Sequence, residues 1–87
     1  MAKVVERVQT GVRIEARTLK VLKGLAEYLN ISLGELLEGI VLHSFEGRAP
    51  FSRKTLEQIE KLKSVYDHSL TAGDAHRLSE RPAKGER

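Results

Sequence analysis

Arg7-Val8-Gln9-Thr10-Gly11-Val12-Arg13-Ile14 alternates in character. Val8, Thr10, Val12 and Ile14 share one parity and Arg7, Gln9, Gly11 and Arg13 the other, so an extended backbone here has one largely apolar face and one polar, basic face. The pattern predicts a half-buried β-strand, and nothing after Glu15 repeats it. A lone strand leaves its N–H and C=O groups unpaired, so the expected partner is a second copy of the chain, paired antiparallel about a twofold axis. Such a ribbon would bury Val8, Val12 and Ile14 against helices and carry Arg7, Gln9 and Arg13 on its outer face. Its dimensions suit the major groove of B-DNA. Gly11 interrupts the outer face without a side chain, which fits either a close approach to a DNA edge or neutral drift.

Working outward, residues 1–6 form a short basic arm in which Lys3 is either a phosphate contact or part of a frayed terminus. From Ala16 to Leu29 the period becomes helical: Leu19, Leu22, Leu25, Ala26 and Leu29 make one stripe, with Arg17, Lys20, Lys23 and Glu27 opposite. Gly24 lies on the polar side with no evident packing role. Asn30 tolerates the left-handed conformation that ends a helix, and Ser32 and Glu35 have the spacing of a capping box that starts the next. That second helix, about Leu33 to Glu46, carries Leu33, Leu36, Leu37, Ile40 and Val41 on one face and Leu42 and Phe45 on another, which predicts burial nearly all round at the centre of a dimer. Gly47-Arg48-Ala49-Pro50 reads as a hinge-like connection. A third helix is expected from Arg53, capped by Ser52, to about His68, with Leu56, Ile59, Leu62, Tyr66 and Leu70 seeking a surface on Leu42 and Phe45 or on another protein. Residues 71–87 have almost no apolar content and read as a disordered tail.

The whole chain has 87 residues, one small domain at most, and a formal charge of +3. Six basic against two acidic residues give residues 1–25 a net +4, whereas residues 26–47 carry four glutamates and no Lys or Arg. Positive charge is thus gathered around the predicted strand, a distribution that permits an anionic partner. There is no cysteine, so disulfides and thiolate metal sites are excluded. His43, His68 and His76 have neither shared spacing nor acidic companions, so no metal, cofactor or catalytic pair is expected and the chain does not read as an enzyme. With no signal-peptide core and no apolar run of membrane-spanning length, the expected compartment is the cytoplasm.

Strand, helix, turn and Ser-capped helix in some forty residues resemble the ribbon-helix-helix family of bacterial, plasmid and phage regulators, which includes the Arc, methionine and plasmid copy-number repressors. The likeness spans residues 8–46 through Val12-Arg13-Ile14, Leu22/Leu25-Ala26, Asn30-Ile31-Ser32 and Leu36/Ile40-Val41. It implies a mainly α chain with one N-terminal strand, folded as an intertwined homodimer whose antiparallel ribbon reads the major groove. The domains would be 1–47 for DNA binding and dimerisation, 48–70 as a helical extension and 71–87 as tail. The positions implied to face bases are Gln9, Gly11 and Arg13; those facing phosphates are Ser32, Leu33 and Gly34, joined by Arg7 and Lys3. The implied dimer core is Val8, Val12, Ile14, Leu22, Leu36, Leu37, Ile40 and Val41. Ile31, Leu36 and Ile40 stand where some members carry buried charges, so hydrophobic contact should hold the dimer. The expected function is a sequence-specific DNA-binding repressor associated with the nucleoid. Its alternatives are an antitoxin, or an interaction module that holds a protein partner with residues 52–70.

Overall fold

The computed structural model describes residues 3–81 and is all-helical: α1 spans Ala16–Leu29, α2 Leu33–Phe45 and α3 Arg53–Val65, followed by a short 3-10 turn at Ala72–Asp74. The strand expected over Arg7 to Ile14 does not form, and among the described residues there is no β-strand of any kind. The ribbon-helix-helix architecture, with its intermolecular ribbon and intertwined dimer, is corrected accordingly. Residues 3–14 form an arm that makes no backbone hydrogen bond among the described residues. The physical reason is the one that made the strand conditional: one chain holds no second strand to satisfy its ladder groups, so an exposed, unladdered backbone is the outcome. Val8 and Val12 consequently stand 78% and 71% exposed.

Each helix begins where its sequence supplies an acceptor for the free N–H groups of a first turn. Glu15 caps α1, its carboxylate accepting from the backbone N–H of Thr18 at 2.8 Å and of Arg17 at 3.1 Å. Ser32 and Glu35 make a reciprocal capping box at α2, both bonds 3.1 Å, and Ser52 accepts from Thr55 N–H at 3.2 Å to start α3. The ends are equally local. Asn30 takes φ 60° and ends α1, with Ile31 N–H bonded to Ala26 O at 3.0 Å. Gly47 takes φ 69° just beyond α2.

α1 is the central element, flanked by α2 and α3. Leu25, Ala26 and Leu36 form the buried centre, and Leu22, Leu29, Ile40, Phe51, Ile59 and Leu62 close around it. Val21 is buried as well, although it lies outside the expected stripe. α3 packs on α1 and leaves Leu42 and Phe45 uncovered. Its approach explains Gly24: a Cβ there would meet Leu62 Cδ2 at 2.9 Å, so the missing side chain admits α3. Polar contacts fasten the same face. Arg17 Nη1 donates to Asp67 O at 2.9 Å, and Lys20 Nζ sits 5.8 Å from the centre of the Tyr66 ring. Thr18 donates its hydroxyl to Glu15 at 2.7 Å, which makes the His68 Nε2 the donor in its 2.9 Å contact with Thr18. In α2, by contrast, Leu36 alone is buried; the all-round burial expected of that helix does not occur within one chain.

Candidate nucleic-acid interface

The basic arm, α1 and the start of α2 hold every residue the sequence marks for contact with an anion. The arm is exposed from Lys3 to Arg13, Gln9 included, and Gly11 lies in open space, with nothing within 4 Å of where a Cβ would stand. Alternation therefore distributes these side chains along a solvated arm instead of sorting them between core and groove.

Two arginines of the arm are engaged by carboxylates. Arg7 forms a two-pronged pair with Glu38 of α2, Nε to Oε2 at 2.8 Å and Nη2 to Oε1 at 2.9 Å. The hydrogen bond from Arg7, reinforced by its charge, holds the Glu38 carboxyl below the usual carboxylate range. Arg13 pairs with Glu80, its Nε donating to Oε1 at 3.2 Å. The segregation of charge along the sequence has a direct structural counterpart here, since a helix with no lysine or arginine of its own attracts the arm preceding α1.

Arg7 is held at the middle of α2, because Glu38 lies five residues past Leu33, roughly 7.5 Å along a helix axis from the start. At that helix start the capping box occupies the N–H groups of Ser32 and Glu35, while those of Leu33 and Gly34 have no partner among the described residues. Arg13 is placed elsewhere, at the root of the arm beside an open cleft of about 750 Å3. Val12, Ile14, Leu19 and Leu78 supply its apolar wall. The candidate residues thus fall in separate places, Arg7 on Glu38 in the middle of α2, Ser32, Leu33 and Gly34 at its start, and Arg13 by the start of α1.

Of the basic residues on α1, Arg17 and Lys20 are committed to Asp67 and Tyr66 just past the end of α3, and Lys23 is exposed. The residues implied as dimer core are divided. Leu36 is buried within its own chain, Ile14, Leu22, Leu37 and Ile40 are half-buried, and Val8, Val12 and Val41 are exposed. Sequence reasoning missed Glu15 as a cap, with its carboxyl held low first by the Thr18 hydroxyl and then by backbone N–H groups. It also missed Glu38 and Glu80 as partners of the arm. For Glu15 the signal was present, an acceptor immediately before the first helical residue.

No helix among the described residues is long and apolar enough to cross a membrane, and no group of three potential metal ligands occurs among them. Compared with family models, curated protein sequences and solved structures, the chain matches none.

Proposed function

We propose that the protein is a DNA-binding transcriptional regulator, acting as a repressor in the cytoplasm, that contacts duplex DNA through the arm Lys3–Arg13. The observation that carries this reading is the exposed, basic arm, whose backbone makes no hydrogen bond among the described residues, in a stretch bearing a net +4 over residues 1–25. Arms of this kind enter a DNA groove because unpaired backbone and guanidinium groups both find acceptors there. Arg13 would donate to O6 and N7 of guanine, Gln9 would read adenine, and Arg7, Lys3 and the free N–H groups of Leu33 and Gly34 would take phosphates. Gly11 contributes closeness, not a side-chain contact.

The reading includes a homodimer. Val41, Leu42 and Phe45 are 43%, 62% and 80% exposed on a helix whose sequence is apolar nearly all round, and a second copy would cover them. Two arms would then meet a site with twofold symmetry. A protein partner along residues 52–70 has less support, because Ile59 and Leu62 already close the core and Leu56 and Val65 are the only large apolar residues of α3 left exposed.

The test is a salt series with Arg13→Ala and Lys23→Ala, using a duplex selected from random DNA by the parent and a scrambled duplex. Arg13→Ala should lose roughly 1–3 kcal/mol of preference for the selected sequence. Lys23→Ala should weaken both duplexes alike and flatten the salt dependence. Arg13→Ala binding both duplexes as the parent does would refute the reading.

A further inference from the structure

Both arginines assigned to DNA are already held by acidic side chains of the same chain. Arg7 is gripped in two-pronged fashion by Glu38, 31 positions away, and Arg13 by Glu80, 67 positions away. A carboxylate offers a guanidinium two coplanar acceptors, as the guanine edge does, so Glu38 and Glu80 stand where base or phosphate would have to stand. The second pair is anchored by more than charge. Leu78, two residues before Glu80 and 54% exposed, lines the open cleft at the root of the arm with Val12, Ile14 and Leu19, which sets the C-terminal segment beside the residues flanking Arg13.

We propose that the protein carries its own competitor for DNA: Glu38 and Glu80 mask Arg7 and Arg13, and the segment around Leu78 seats the second mask. The inference rests on the DNA-binding reading and adds a regulation to it. Binding requires an exchange at each arginine, in which the internal carboxylate leaves as the DNA acceptor arrives. The exchange is graded, not absolute, since the paired side chains are largely solvated, Arg13 and Glu80 at 81% and 62% exposure. Exposed ion pairs of this kind shift an equilibrium by a small factor. Weak contacts with unselected DNA are opposed by the same factor as strong ones, which lowers residence on bulk DNA while a tight site remains occupied.

The experiment measures DNA affinity of the full-length chain at low salt for Glu80→Gln, Glu38→Gln and Leu78→Ser. Glu57→Gln is the control, because it makes the same change in net charge at a glutamate of α3 that has no ion pair among the described residues. Glu80→Gln and Glu38→Gln should each tighten binding about two- to fivefold beyond the control. Leu78→Ser should do the same for the arm without changing charge. The Arg13 Nε–H resonance of the free protein should move in Glu80→Gln and Leu78→Ser and stay in place in Glu57→Gln. If all three variants bind no tighter than the control while the parent still binds DNA, masking is refuted and DNA binding stands. If neither parent nor variants bind DNA while their helical circular dichroism is intact, the DNA-binding reading fails and masking fails with it.

Discussion

Leu36→Ala should come close to unfolding the chain, whereas Phe45→Ser, nine residues later on the same helix, should not. Leu36 is 3% exposed and sits with Leu25 and Ala26 at the centre on which all three helices converge. Removing its branched end leaves a cavity walled by side chains that are themselves pinned by α1, and a buried Leu→Ala change costs roughly 2–5 kcal/mol. At about 0.05–0.15 kcal/mol per residue, the roughly 50 residues from Ala16 to Val65 have a total stability on the order of 2.5–7.5 kcal/mol. One side chain therefore accounts for most of the margin. Urea unfolding followed by far-ultraviolet circular dichroism measures it, and a loss below about 1 kcal/mol would show that Leu36 is not the centre of the fold. Phe45, 80% exposed, should cost almost nothing within a single chain. Its effect belongs to association: in a dimer covering α2, the parent midpoint rises with protein concentration and Phe45→Ser removes that rise. A parent midpoint that stays constant over a hundredfold concentration range would refute the dimer.

Gly24→Ala should change stability by less than about 1 kcal/mol, since the gain in helix propensity is offset by displacement of the Leu62 methyl group; Gly24→Val should destabilise by roughly 1–3 kcal/mol through overpacking, and an unchanged melting temperature would refute the close approach. A chain ending at Gly47 should melt well below the full chain, because it lacks Phe51, Ile59 and Leu62 from around the core; equal melting temperatures would refute that packing. Glu15 and Glu38 both have carboxyls held below their ordinary range in the folded state, so the unfolded chain binds the protons first as pH falls. Their contribution is complete above the ordinary glutamate value near about pH 4.3 and is lost as pH drops through the lowered folded values. Urea midpoints should therefore fall from about pH 4.5 downward, less steeply in Glu15→Gln, and an identical slope in that variant would refute the role of the cap.

What was legible in the sequence was what is decided locally. α1 runs from Ala16 to Leu29 as its period indicates, and Asn30, Ser32 with Glu35, and Ser52 act as the terminators and caps their chemistry suggests. The arm was misread because alternation of apolar and polar residues describes a face only when something covers it. In a single chain Val8 and Val12 have nothing above them. The placement of α3 was hidden for the opposite reason. It docks on the side of α1 carrying Arg17, Lys20 and Gly24, and the one trace of this in the sequence was a glycine set among charged residues of a helix. The basic candidate residues could be named from charge alone, but their carboxylate partners lie 31 and 67 positions away, beyond the reach of any local pattern.

The contact between Thr18 and His68 spans 50 residues, and it has a consequence for the order in which the protein is made. A ribosome adding about 5–20 residues per second needs roughly 3–10 s to travel from the one position to the other. Isolated helices of this length form and dissolve within about a microsecond. Throughout that interval a nascent chain therefore presents its basic arm ahead of a first helix held at its leading end by the Glu15 cap alone, and delivery of His68 completes the contacts at the point from which the arm departs.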